Sequence, residues 1–398
     1  MRIFSGLFQA AVVTALNLRT IPGRLASSGV AVIGMAGVVA VLVSVLSIAE
    51  GIRATMANTG SPDSVIVLRS GSDAEMTSIL LREDLQAIMD APEIARASEV
   101  GVLASAELFV TVDLVKASTG TTGNAPLRGV DMAGFHVRNL KIVKGRAFEP
   151  GRNEVIVGSA AASQYNGMNV GATLKLGQNT WQIVGIFDAG GTVPDSELWC
   201  DAGVLAPLYR RGPSRQAVYA RLTSPDAFTR FKDRLTTDPR LKLKVMREQE
   251  YYAGQAEVFS TTITIIGGVI GLLMGFGALF VAVITMHSAV ASRTREIATL
   301  RALGFRGGPV VVAVLAESMI LALVGGAVGA AVAYFGFNGY QAATMNWQNM
   351  SSIGFAFRVT PSLLVLGVGW ALVLGLLGGL FPAIRAMRLP IVTALREL

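Results

Sequence analysis

Charge, cysteine and histidine are all scarce in this sequence. Cys200 is the sole cysteine, so no disulfide can close within the chain, and a buried or free thiol is the plain reading. The two histidines, His136 and His287, have no partner at a spacing that suits zinc or a nucleophile–base–acid triad. No Gly-x-x-x-x-Gly-Lys-Ser/Thr segment occurs, which excludes a phosphate-cradling loop within these residues and places any ATP chemistry on another chain. "PDSELWCD" gathers Asp195, Glu197 and Asp201; a solvated loop is the preferred reading over a cation site. No metal site and no catalytic residue is expected. Charged residues make up 15% of the chain, against about 25% for a soluble domain.

Long uncharged runs take their place. Charges are absent from 25–49, 258–292, 318–357 and 359–384, and mean hydropathy is +0.53. A spanning helix needs about 20 apolar residues. Four spans are predicted, at 27–49, 261–286, 309–336 and 362–384. The first is too long for a signal peptide and shows no cleavage site, so it reads as an anchor. Arg2, Arg19 and Arg24 precede it; Arg293, Arg295, Arg301 and Arg306 lie between the second and third spans; Arg385, Arg388 and Arg396 follow the fourth. The positive-inside rule then puts both termini in the cytoplasm, with 50–260 and the short loop 337–361 outside. Residues 51–257 carry equal numbers of basic and acidic side chains. The pI of 9.7 therefore reflects cytoplasmic arginine, not a nucleic-acid surface, and nucleic-acid binding is rejected.

The outer segment reads as α/β. "DSVIVLRSG" followed by "LREDLQAIMDAPEIARASEVGVLASAELFVTVDL" predicts strand, helix, strand, and "AVYARLTSPDAFTRFKDRLTTDPRLKLKVM" repeats that order. Ser224 or Asp226 is the expected cap of the second helix. Between them, "LKLGQNTWQIVGI" predicts a hairpin, and a mainly-β lobe of about 126–214 reads as inserted into a βαβ-type lobe. The expected fold class is an α-helical membrane protein with four transmembrane helices and a large α/β extracytoplasmic domain between helices 1 and 2.

One charged segment interrupts the apolar half. "SRTREIATLRALGFRGGPV", 292–310, carries Arg293, Arg295, Glu296, Arg301 and Arg306. Ile297, Leu300 and Leu303 form a narrow apolar stripe, and Gly304 is placed to end the helix. A helix of about ten residues is unstable alone and needs a surface to lie on. On physics alone, anionic lipid headgroups and a docked cytoplasmic protein serve equally.

"SRTREIATLRALGF" with "LAESMILALVGGAVGAAVAYF" resembles the permease subunits of the MacB/FtsX/LolC superfamily, the type VII ABC transporters. "TALNLRTIPGRLASSGVAVIGMAG" is similar to their amphipathic elbow (1–26) and first span. "GRAFEPGRNEVIVG" and "VGATLKLGQNTWQIVGIF" are similar to their outer domain, and "FPAIRAMRLPIVTALREL" to their C-terminus (385–398). The resemblance implies that 287–308 is a coupling helix docking an ATPase, with Ile297, Leu300 and Leu303 in a pocket and arginines at its rim. It implies a cytoplasmic ABC ATPase in two copies, which would hold ATP and Mg, and a second permease copy, identical or paralogous. It also implies a bacterial inner-membrane location and movement of the outer domain by mechanotransmission. A periplasmic adaptor and an outer-membrane channel are further candidate partners. MacB carries its ATPase fused, and no such segment is present here, so a separate ATPase is expected. FtsX tends to a smaller outer domain, which favours a MacB-like architecture. No substrate transfers. The alternatives are FtsX-like signalling to a cell-wall hydrolase and a membrane scaffold with no ATPase.

Within the spans, Gly267, Gly271 and Gly275, then Gly325 and Gly329, then Gly375 and Gly379 recur at intervals of four, which lets helix backbones approach closely in lipid. Packing inside the bundle is preferred over contact with a second copy. Glu317 lies about two turns into the third span, where an acid needs a partner. An ion pair with Arg295 or Arg301, fixing the coupling helix, is expected.

Overall fold

The computed structural model describes residues 9, 12–15, 25–176, 179–305, 307–346 and 348–388. Most of the expected elbow and the tail beyond 388 lie outside the described residues, as does Arg306. The chain forms two compact units.

One unit comprises residues 1–50, 261–340 and 357–398 and is built from apolar helices. Four helices are long and apolar enough to cross a membrane. They are α1 (Leu25–Ala57), a helix over Glu248–Ala291, one over Gly307–Phe337, and one over Pro361–Met387. The 44-residue helix is about 66 Å long at 1.5 Å per residue, well beyond the ~30 Å apolar layer of a bilayer. Its extra turns, and those of α1, fall in the second unit.

The second unit, residues 51–260 and 341–356, holds a ten-stranded sheet. Its elements are β1 (Ser64–Arg69), α2 (Arg82–Met89), β2 (Ala104–Val115), β3 (Thr122–Val130), β4 (Lys141–Gly145), β5 (Glu154–Gly158), β6 (Thr173–Leu176), β7 (Asn179–Asp188), β8 (Leu198–Asp201), β9 (Ala217–Arg221), α3 (Ala227–Thr237) and β10 (Leu243–Arg247). The long helix over Glu248–Ala291 follows directly as α4. Strand order is β10-β1-β9-β2-β3-β8-β5-β7-β4, with β6 on β7.

The two strand–helix–strand halves are present, and they interleave. β9 lies between β1 and β2, and β1 lies between β9 and β10, every neighbouring pair being antiparallel. This is the split βαβ arrangement of ferredoxin-like folds. α3 turns Ala227, Phe231 and Leu235, one helical turn apart, onto the sheet beside Val65 and Val67. Asp226 occupies its N-cap, yet no side-chain capping bond forms. Its backbone is already helical, and Ala227 N–H bonds Ser224 O at 3.1 Å instead.

The inserted lobe starts earlier than the expected residue 126. β2 pairs with β9 through Ala104–Glu107, then with β3 through Leu108–Val115, so one strand of about 40 Å serves both lobes. The lobe closes around Trp181, Val155, Leu127 and Cys200. The predicted hairpin is β6–β7.

Two strands lie within 337–361, the segment expected as a short extracytoplasmic loop. Gln341–Asn346 (β11) and Ser351–Ala356 (β12) form an antiparallel hairpin belonging to the sheet-bearing unit. Gly354 N–H donates to Ser196 Oγ at 2.8 Å, Asn346 Nδ2 to Gln255 Oε1 at 2.8 Å, and Asn124 Nδ2 to the Met350 carbonyl at 3.2 Å. Its small, polar residues show little alternation, which hides the strands from a pattern reading.

Candidate functional site

The charged segment folds as α5 (Thr294–Ala302), between α4 and α6 (Gly307–Phe337). Gly304 adopts φ +95°, Phe305 N–H bonds Leu300 O at 3.1 Å, and Gly304 N–H bonds Arg301 O at 3.1 Å. That pair of bonds is the Schellman end, and it requires a residue tolerant of positive φ.

The apolar stripe divides. Ile297 is buried among Met286, Val290, Val310 and Val314, whereas Leu303 is 74% exposed and Leu300 is half-buried. Residues three apart step back by roughly 60° around a helix, so Ile297 and Leu303 sit about 120° apart. One faces the bundle and the other faces away. Arg295, Glu296, Thr299 and Ala302 share the exposed side with Leu303. A single apolar stripe seated wholly in a partner is therefore ruled out, since Ile297 serves this chain's own core.

Glu317 does hold the segment, through a different arginine. Among the described residues it pairs with Arg293, Nη1 to Oε2 at 3.2 Å, and not with Arg295 or Arg301. Both side chains are under 10% exposed. Arg293, the last residue before α5, is buried, whereas Arg295 is turned outward.

The glycines pack within the helical unit. A β-carbon at Gly329 would run into the Ala36 carbonyl, and one at Gly325 would lie 2.7 Å from Met35 Cβ. Gly267 meets Val45, Gly271 meets Leu42, and Gly275 meets Trp370. On α7 (Pro361–Met387), Gly375 meets Ala322 and Gly379 meets Ser318, whose hydroxyl donates to Gly375 O at 2.5 Å. Backbones this close maximise dispersion contact where lipid gives no hydrophobic drive to associate.

A second site, missed by the sequence reading, surrounds the start of α4. Arg128 on β3 reaches Glu75 at 2.5 Å, Glu107 at 2.8 Å and Glu197 at 2.7 Å. Arg138 reaches Glu107 at 3.1 Å and Glu248, the first residue of α4, at 3.3 Å. Its guanidinium lies 3.5 Å from the centre of the Tyr219 ring. Tyr219 donates to Glu75 at 2.8 Å and lies 3.2 Å from the Tyr252 hydroxyl, and Tyr251 accepts from Glu75 N–H at 3.3 Å. Gln249 bonds Gly60 O just past α1, at 3.2 Å. The charged side chains are buried. Burial alone would raise the Glu197 carboxyl, but Arg128 overrides it and holds it below the usual range. The available signal was slight: Glu107 and Arg128 stand inside runs such as "ASAELFV" and "PLRGV", where a charge has no polar face to occupy.

The acidic trio is no solvated loop. Asp195 and Glu197 are buried. Asp195 accepts from Ala189 N–H, Gly191 N–H and Ser159 Oγ, Glu197 from Arg128 and Trp199, and Asp201 from Gly151 N–H and Gly203 N–H. Each carboxylate has its own partners. Cys200 is buried, with its thiol 3.7 Å from the Arg128 carbonyl.

Four apolar spans, with a large mixed α/β domain threaded between the first two, define a polytopic membrane protein of permease architecture. The chain belongs to the family of the MacB-like periplasmic core domain, whose model matches residues 28–238, and carries an FtsX-like permease C-terminal domain over 268–391. It is 33% identical over 153 residues to the uncharacterized ABC transporter permease YknZ of Bacillus subtilis, covering 38% of this chain and 36% of that one. It is 21% identical over 419 residues to the macrolide export ATP-binding/permease protein MacB of Bdellovibrio bacteriovorus, covering 96% of this chain and 61% of that one. The chain thus spans between 36% and 61% of the length of these curated relatives. Among solved structures, the periplasmic region of MacB from Actinobacillus actinomycetemcomitans aligns at TM-score 0.37 and 14% identity, over 48% of this chain and 91% of that one.

Proposed function

We propose that this chain is the membrane permease of an ATP-driven ABC transporter that acts by mechanotransmission. The observation that carries the reading is continuity: α1 and α4 each run unbroken from an apolar span into the sheet-bearing unit, where α4 is anchored through Glu248, Tyr251 and Tyr252. A helix resists bending, so a tilt imposed at one end of α4 is delivered to the Arg138 site at its other end. The β11–β12 hairpin belongs to the same unit and meets α4 through Gln255, which adds a tie from the chain between α6 and α7.

In this reading both termini and α5 face the cytoplasm of a bacterial inner membrane. A cytoplasmic ABC ATPase in two copies binds ATP and Mg, and docks on Leu303, Thr299, Ala302, Arg295 and Glu296. Ile297, Arg293 and Glu317 brace α5 from behind. A second permease copy completes the complex, and export of a drug, peptide or lipid proceeds through an adaptor and outer-membrane channel.

The test is affinity purification from native membranes. Leu303→Asp is expected to lose a co-purifying ATPase while the permease stays folded, because Leu303 touches no core. An ATPase recovered equally with wild type and Leu303→Asp would overturn the docking assignment. Within the intact complex, Ala256→Pro breaks α4 above the span; ATP hydrolysis should persist while export is lost, and unchanged export would overturn mechanotransmission.

A further inference from the structure

We propose that Glu107 is a proton-binding site of the outer domain, and that its protonation decides whether Arg138 is held by the sheet or by the start of α4. The inference stands whether or not an ATPase drives the permease.

The geometry carries it. Glu75, Glu107, Glu197 and Glu248 are each no more than 2% exposed, as are Arg128 and, in its side chain, Arg138. Four carboxylates against two guanidiniums leave excess negative charge in a dry interior, where an uncompensated charge is costly and a bound proton relieves it. The groups facing Glu107 come from every element packed on it: Glu75 from the turn at 75–77, Arg128 from β3, Arg138 from the end of the helix 133–137, Glu197 from the lead into β8, Tyr219 from β9, and Glu248 and Tyr252 from α4.

Hydrogen bonding sets Glu107 and Glu248 apart from the other two acids. Glu197 accepts from Arg128 at both oxygens and from the Trp199 indole at 2.7 Å. Glu75 accepts from Arg128 at both oxygens and from the Tyr219 hydroxyl. In Glu107, Oε2 is shared by both arginines, while the buried Oε1 has no hydrogen-bond partner. Glu248 Oε1 also lacks a hydrogen-bond partner, but Glu248 pairs with Arg138, whereas Glu107 shares Arg128 Nη1 with Glu75, and a proton on Glu107 relieves the repulsion between those two acids. Arg138 and Glu248 line a cleft of about 190 Å³ with Asn58, Thr59 and Asn139, which brings open space to the edge of the cluster. Electrostatics agree. Burial raises the Glu107 carboxyl, Arg138 and Arg128 pull it back, and Glu75 and Glu197 push it up again, leaving it at about 7. Once neutral, Glu107 loses its ionic hold on Arg138, and Glu248 on α4 keeps it.

The experiment is infrared difference spectroscopy on the full chain in lipid nanodiscs, stepped across neutral pH. Wild type should gain the carbonyl stretch of a protonated carboxylic acid as pH falls through about 7. Glu107→Gln should abolish that band. Glu248→Gln frees Arg138 for Glu107 and should move the midpoint to lower pH. A band that survives in Glu107→Gln, or a wild-type midpoint below about pH 5, overturns the proposal. Should Glu107→Gln fail to fold, Glu248→Gln decides: an unmoved midpoint overturns it.

Discussion

Two sets of buried charges among the described residues are arranged differently. In the helical unit, among the described residues, Arg293 forms an ion pair with Glu317. In the sheet-bearing unit, Arg128 and Arg138 face Glu75, Glu107, Glu197 and Glu248. An unbalanced cluster has reason to change protonation near neutral pH, because one proton removes a repulsion that no guanidinium cancels. The first arrangement suits a brace that must hold α5 under all conditions, and the second suits a joint that responds to its surroundings.

The widest separation between the two sites should come from Arg128→Met. It removes a guanidinium that touches three buried carboxylates, and the loss should be at least roughly 3–5 kcal/mol, seen as failure to recover folded protein in detergent. Glu107→Gln added to Arg128→Met should not restore it, because Glu75 and Glu197 remain uncompensated. Arg293→Met removes the ion pair with Glu317 and should cost about 3 kcal/mol by thermal unfolding. Here the matched double change Arg293→Met with Glu317→Met should recover most of the loss. Equal rescue at both sites would erase the distinction drawn between them.

A smaller effect tests the sign of the pH response. The folded-state value of Glu107, about 7, stands above the ordinary carboxylate value of 4.5. Its contribution to stability is therefore fully present below about 4.5 and is lost as pH rises through about 7. The unfolding temperature of wild type should fall relative to Glu107→Gln across that window. A gap between the two proteins that is independent of pH would show that Glu107 does not titrate there.

Much of this was legible in residue order. Uncharged runs longer than about 20 residues have no alternative to spanning or deep burial, so the four spans could be read directly. The order of strand, helix, strand in both outer halves follows from local periodicity, and so does the end of α5 at Gly304. The partners of long-range contacts do not. Arg128 and Glu75 are 53 positions apart, and Asn346 and Gln255 are 91 apart, and no local pattern registers either. The hairpin at 341–356 was hidden for the same reason: its strands are defined by each other and by Ser196, Asn124 and Gln255, not by their own alternation.

Composition and spacing by themselves thus determined that the chain crosses a membrane, which segments do so, and that one short charged helix must rest on a surface. The tertiary structure alone decided which way that helix is rolled. Ile297 and Leu303 are both apolar and in one stripe, and only the placement of Met286, Val310 and Val314 makes one a core residue and the other an exposed one. It also decided that Arg293 holds Glu317, and that six charges share one dry interior. Local sequence sets what a side chain prefers; packing sets which neighbour satisfies it, because burial and pairing energies depend on distances that only the folded chain defines.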